Sequence, residues 1–356
     1  MQEGGGVGPW QACDMTSRLV IGGYTSAAVG GIGVVALVDG RWAKPVLVAE
    51  AANPTFLVVS ADGRFMYAVL QDADAEGGAV GAWAVAERDG PWAALGEQPT
   101  GGEGPCHLTL SPDERFLAAA NYESGSVSVH PVNGDGSLGE RADLVAHAGP
   151  VGPVADRQDG PHAHQVVFGP SGHLFACDLG LDAVIAYHLD GSTGRLSEVA
   201  RCAVAPGTGP RHLAFAPDGS TAWVVGELAS TLTVCAVDGP SLTPVATVSS
   251  RADGAQGENL AAEIVVSADG SEVFVSNRGD DTVAAFAVDG RSVRLKGVAD
   301  CGGHWPRWVG FGEDEDSLVV TNERSDSVTV LSRVRDQWSV SDTAEWKQPT
   351  VAACVP

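Results

Sequence analysis

Two arginine–carboxylate pairs recur in this chain at one spacing. Arg211 stands 16 residues before Glu227, and Arg307 stands 16 before Glu323. The first pair brackets Gly209-Pro210-Arg211-His212-Leu213-Ala214-Phe215-Ala216-Pro217-Asp218-Gly219, which runs on to Gly226-Glu227-Leu228. Apolar residues fill both arms, and Pro-Asp-Gly supplies a tight turn. In a hairpin folded around Asp218, Arg211 and Glu227 lie at the same end of neighbouring strands. Cross-strand Cβ atoms are roughly 4.5–5.5 Å apart, so the cation and carboxylate should meet. Such a pair is either a structural ion bridge or half of a catalytic site. Guanidinium forks suit carboxylate or phosphate. His162, His164, His212, Tyr122 and Arg278 are the other side chains whose types suit chemistry.

What positions them is an internal repeat. A short strand, a turn, a second strand with a polar end and an alternating third strand recur along the chain. Turns fall at positions 62, 113, 171, 218, 269 and 314, which are 45 to 58 residues apart. That period suits four strands per unit and the blades of a propeller. The termini supply one more unit. Leu19–Thr25 reads as a second strand, Gly33–Val38 as a third and Pro45–Ala49 as a fourth. Pro349–Val355 reads as the missing first strand. The expected fold is all-β: a seven-bladed β-propeller with four antiparallel strands per blade, the last blade closed by the N- and C-terminal strands. Closure leaves no open sheet edge. Residues 15–356 form one domain, preceded by a disordered Gly-rich lead at 1–14, and Met15 is a second plausible start. The Gly/Pro-rich piece at 147–160 reads as a loop over one face.

Aligning the repeats places equivalent residues together. The position seven before each turn holds Thr55, Cys106, His164, Arg211, Ala262 and Arg307. The polar end of the second strand holds Gln71, Tyr122, Leu179, Glu227, Arg278 and Glu323. Innermost strands line a propeller's channel, so both sets should crowd one mouth of it, where rigid strand ends favour function.

Bulk properties narrow the partners. The chain has 356 residues and a formal net charge of -24, with lysines only at Lys44, Lys296 and Lys347. Nucleic-acid binding rests on neutralising phosphates and is excluded by this charge. The seven cysteines are scattered without CxxC spacing, which fits a reducing cytosol. No signal peptide and no apolar run of about 18 residues is visible. A cytoplasmic protein, monomer or dimer, is expected.

Pro161-His162-Ala163-His164, Gly209-Pro210-Arg211-His212 with Glu227-Leu228, Ser276-Asn277-Arg278 and Pro306-Arg307 resemble the seven-bladed propeller lactonases. That family includes a bacterial 6-phosphogluconolactonase and carboxymuconate cyclases. The resemblance covers the chain from Arg18 onward. It implies an active-site set of His164, Arg211, Glu227 and Arg278, with His162, His212, Arg307 and Tyr122 expected to bind substrate. It implies hydrolysis of an anionic sugar lactone such as 6-phosphogluconolactone, in carbohydrate metabolism and the pentose phosphate pathway, without metal or cofactor. Glu227 or His164 would be the general base, and Arg211 and Arg278 the anion or oxyanion donors.

Other readings stay open. A carboxymuconate-type lactonising cyclase would use the same residues, and a non-catalytic scaffold would bind partners through one face. A metal-dependent propeller would use Glu227, Asn277 and Asp178. The repeated pair marks Arg307 as an anion binder and Glu323 as structural. His107 and His212 read as channel histidines. Cys106 and His107, adjacent on a strand, should point apart, leaving Cys106 a small buried residue.

Overall fold

The computed structural model describes residues 18–25, 30–38, 41–71, 77–86, 90–312 and 314–355. Seven antiparallel sheets make up the fold, as the repeat requires. Six run in simple chain order from inner to outer strand: 56–99, 105–146, 163–203, 210–249, 261–300 and 306–345. The seventh joins the ends. Its inner strand Pro349–Val355 pairs antiparallel with Arg18–Gly23, which pairs with Gly31–Val38. The outer position is divided between Arg41–Trp42 and Val46–Glu50, so this blade has one strand more than expected. The expected lead at 1–14 and Met15 lie outside the described residues.

Burial within a blade explains the sequence pattern. Each sheet is sandwiched between two neighbours, so its second strand is covered on both faces. Phe116–Asn121 and Thr221–Gly226 are buried at every position. They therefore read as continuous apolar runs rather than alternating ones. Outer strands such as Ser292–Asp300 are largely exposed and do alternate. Trp223, Tyr187, Phe175, Phe274 and Phe286 fill the spaces between blades. Burying one such side chain contributes on the order of 1.5–3 kcal/mol. The turns obey their residue types: Gly219 sits at φ 70°, and Asp218 accepts the Ser220 backbone N–H at 2.9 Å. Cys106, Cys177, Cys202, Cys235 and Cys301 are free thiols, whereas Cys354 is disulfide-bonded, which departs from a uniformly reduced set. Among the described residues, no helix is long and apolar enough to cross a membrane.

One irregularity of the inner strands matters most. Against their second strands, five of them slip register near the same end: between Pro105 and His107, Ala163 and Gln165, Pro210 and His212, Ala261 and Ile264, and Pro306 and Trp308. The closing strand slips likewise around Thr350. The extra residues are Cys106, His164, Arg211, Arg307 and Thr350, with Ala262 and Glu263 in the fifth blade. Bulges re-aim side chains and break strict alternation. A ring of six bulges thus marks one mouth of the channel.

Ring closure should carry much of the stability. Val351 is fully buried and opposite Gly22. Val351→Asp places an unpaired charge there and should destabilise the protein by at least about 3 kcal/mol in denaturant unfolding; an unchanged midpoint would show that the closing strand contributes little.

Candidate active site

Glu227 lies at the end of the fourth blade's second strand, and its carboxylate is the hub of the mouth. Its Oε1 meets Arg157 Nη2 at 2.6 Å. Its Oε2 meets Arg278 Nη2 at 2.8 Å and Arg211 Nε at 3.3 Å. Arg211, Glu227 and Arg278 have side-chain exposures of 4%, 2% and 6%, whereas Arg157 is 33% exposed. Burial alone would raise the Glu227 pKa. Arg278, Arg211 and Arg157 outweigh it and hold the carboxyl at about 2. Burial, with Arg278 and Arg307 nearby, pulls Arg211 down to about 9. At neutral pH both remain charged.

The expected pair therefore forms, but as part of a larger cluster. Arg157 was not among the sequence candidates. It comes from the loop at 147–160, which does cross the mouth, and its Nη2 also donates to Tyr122 Oη at 3.3 Å. Buried Gln158 anchors that loop: its Nε2 donates to the Leu179 carbonyl at 2.8 Å, and its Oε1 accepts the Val154 N–H. Arg278 is fixed by the Leu260 and Ala261 carbonyls, each at 3.2 Å. The second pair is looser and more open. Arg307 Nη1 lies 3.2 Å from Glu323 Oε2, with 19% and 13% exposure.

Arg211 keeps donors free. Its Nε and Nη1 are buried and have no hydrogen-bond partner; the 3.3 Å approach to Glu227 is an ion pair without hydrogen-bond alignment. Below and beside it are three histidines. The His212 ring lies 5.2 Å from His164 and 5.0 Å from His107, which is itself 3.9 Å from Phe56. Burial, reinforced by Arg211, holds all three well below the ordinary histidine pKa, so they are neutral at pH 7. Nδ1 of His164, Nδ1 of His107 and Nε2 of His212 have no partner. His212 Nδ1 lies 2.7 Å from Glu263 Oε1. Burial pushes the Glu263 carboxyl up to about 8, against the opposing pull of Arg211 and the Ile264 N–H.

The remaining candidates divide. Tyr122 stacks on His162 at 4.6 Å and meets His164 edge-on at 5.4 Å. His162 has both nitrogens engaged, Nδ1 at 3.0 Å from the Tyr122 carbonyl and Nε2 at 3.0 Å from Asp159. It holds Tyr122 and the loop in place. Cys106 and His107 meet different neighbours: Cys106 Sγ donates to the His164 carbonyl at 3.2 Å, while the His107 ring lies against Phe56 and His212. Cys106 is only partly covered, and burial pushes its thiol up to about 12. Leu179 and Ala262 are fully buried. The side chains considered for a metal are committed to the fold. Asp178 accepts from His147 at 2.6 Å and from the His162 and Leu181 backbones. Asn277 bonds Ser250 and Asn259.

Such a mouth can receive an anion on Arg211, Arg307 and Arg157, offer donors to a developing oxyanion, and accept a proton on a neutral imidazole. A family model described as lactonase, 7-bladed beta-propeller, matches residues 18–355. The chain is 33% identical over 323 residues to the 6-phosphogluconolactonase of Bacillus subtilis, covering 89% of this chain and 91% of that protein. It superposes on the periplasmic gluconolactonase of Pseudomonas aeruginosa with a TM-score of 0.88 and 31% identity, covering 96% and 99% of the two chains. A Lactobacillus plantarum protein gives the same TM-score at 29% identity, covering 96% and 100%.

The buried histidines set the pH dependence of stability. Their folded pKa values lie below 6.5, so on acidification the unfolded state takes up protons that the folded state refuses. Their contribution is complete above about pH 6.5 and lost as pH falls. Glu263 opposes them, holding in the fold, between about 4.5 and 8, a proton that the unfolded chain releases. His130, held by burial at about 4, adds a fourth such group. Four groups against one leave roughly three protons, or on the order of 3–4 kcal/mol per pH unit between about pH 5 and 6. Urea unfolding at pH 7.5 and pH 5 should show a marked loss in acid, whereas equal midpoints would mean that the histidines are charged in the folded state.

Proposed function

This chain belongs to the lactonase family of seven-bladed β-propellers, a family of ester-ring hydrolases, and we propose that its own substrate is an anionic sugar lactone, with 6-phosphogluconolactone the best fit. One observation carries this reading. A buried arginine with two unpartnered donors, Arg211, stands between a neutral histidine and two partly open guanidiniums, Arg307 and Arg157. In a chain of net charge -24, this is a local positive site in a repulsive field. It selects a ligand whose charge is met by guanidinium forks rather than by the protein as a whole. The metabolic role suggested by such a substrate is the oxidative breakdown of phosphorylated glucose.

The reaction follows from the roles of each group. Arg307, Arg157 and Tyr122 hold the anionic tail. Arg211 directs Nη1 at the carbonyl oxygen, where charge develops as water adds, while its Nε faces Glu227. The proton of that water passes to an uncharged base. Glu227 is ill-suited to this: its pKa of about 2 makes it a weak acceptor, and three arginines occupy its oxygens. It serves instead to hold Arg211 and Arg278 in place. His164, neutral with a buried, unpartnered Nδ1, takes the proton. An anionic substrate offsets the guanidinium charge nearby and thereby raises the basicity of His164 on binding. A C–O bond forms to the water oxygen, the ring C–O bond breaks, and the departing ring oxygen receives a proton.

Two measurements test this. Arg211→Ala should lower kcat/KM for 6-phosphogluconolactone by about 10²–10³-fold while the fold persists. The wild type should favour the phosphorylated lactone over gluconolactone by about tenfold or more, the worth of one charge-assisted contact. Unchanged hydrolysis by the variant would remove the channel mouth from the reaction, and equal rates on the two lactones would remove the phosphate.

A further inference from the structure

We infer that Glu263 and His212 form a buried proton-donating pair, in which the Glu263 carboxylic acid hydrogen-bonds His212 Nδ1 and His212 presents an Nε2–H to the channel, delivering a proton to the departing ring oxygen. The inference rests on the proposed lactone hydrolysis and supplies the proton donor that it needs. Glu263 acts through His212 and is a positioning residue.

Geometry carries the assignment. His212 and Glu263 are 1% and 5% exposed, and their side chains lie 2.7 Å apart. Glu263 is delivered to the channel by the widest of the inner-strand irregularities, where two residues, Ala262 and Glu263, oppose Ser276 alone. Its backbone N–H is fixed by Ser276 Oγ at 3.0 Å, and its Oε1 accepts the Ile264 N–H at 3.0 Å. The main chain is therefore fixed at Glu263, and one backbone donor orients the carboxyl, at the same oxygen that faces His212 Nδ1. The other nitrogen of His212, Nε2, is buried and without a partner. The ring stands 5.2 Å from that of His164. Donor and acceptor imidazoles thus sit side by side on adjacent blades, next to Arg211.

Burial and the guanidiniums facing His212 favour an uncharged ring in a pair that holds one mobile proton. Arg211, Arg307 and Arg278 oppose a second positive charge on the ring; Glu227 acts the other way. His107 and His164 flank it as neutral rings. A carboxyl kept protonated at neutral pH is a proton store, as an apolar enclosure can make it. The step balances. The Nε2–H bond breaks and the proton joins the ring oxygen as its bond to carbon cleaves. The Glu263 proton moves to His212 Nδ1, leaving a carboxylate and a neutral imidazole. Together with the proton gained by His164, net charge in the channel is unchanged, and return of that proton resets the pair.

The experiment has two arms. Nitrogen-15 spectra of histidine-labelled wild type at pH 6.5, with His212→Gln to assign the signal, should show His212 as the Nε2–H tautomer. An Nδ1–H tautomer would overturn the donor assignment whether or not the enzyme turns over. In the second arm, Glu263→Gln should lower kcat/KM for 6-phosphogluconolactone on the order of 10²-fold. The aryl lactone dihydrocoumarin, whose phenolic leaving oxygen needs little protonation, should lose far less. An equal loss on both lactones, or no loss on either, would overturn the pair's role while leaving lactone hydrolysis intact. A wild type inactive on both would instead bring down the underlying reading and the inference with it.

Discussion

A single buried carboxylate makes this channel mouth possible. Arg211 and Arg278 are both nearly inaccessible, and two guanidiniums cannot share so small a volume without an anion between them. Glu227 supplies it, with three guanidinium contacts between 2.6 and 3.3 Å. Removing one partner of a buried ion pair costs about 3–5 kcal/mol, because the remaining charge is stranded. Arg157, Arg211 and Arg278 come from the 147–160 loop, the fourth blade and the fifth, so the same carboxylate ties three separate pieces of chain. That cross-link is structural. Its functional result is that Arg211 is held rigidly while two of its donors stay unspent.

The propeller scaffold explains why such a cluster can be built. Seven sheets pack face to face, so their inner strands converge on one axis, and closure by the terminal strand removes the last free edge. Register slips at one end of six inner strands then turn individual side chains toward that axis. Without the bulges, His164, Arg211 and Arg307 would alternate with their neighbours in the ordinary way. With them, adjacent residues such as Arg211 and His212 both reach the channel environment. Charge and neutrality are arranged in layers: guanidiniums at the mouth, uncharged imidazoles next to them, and a carboxyl of raised pKa behind His212.

Much of this was legible in the sequence, and the limits have physical causes. Turns at regular spacing disclosed the blades, and the unpaired strand at Pro349–Val355 disclosed the closure. The hairpin around Asp218 was enough to bring Arg211 to Glu227. Arg157 was hidden because it belongs to no repeat; only the anchoring of its loop through Gln158 brings it to the mouth. Glu263 was hidden by register: with Ala262 taken as the channel position, its neighbour should have faced away. Strict alternation is a good rule for a regular strand and fails at a bulge, and nothing local in these sequences marks the bulge. The number of cations around Glu227 was also unreadable, since only Arg211 shares its hairpin.

The central claim is that an anionic lactone is bound and opened at this mouth. A crystal structure of the protein with the ring-opened product, 6-phosphogluconate, tests it most directly. The account predicts the product at the mouth, with its new carboxylate against Arg211 and His164 and its phosphate toward Arg307 or Arg157. Product bound at the opposite face or at the outer strands, with the mouth unchanged, would contradict it.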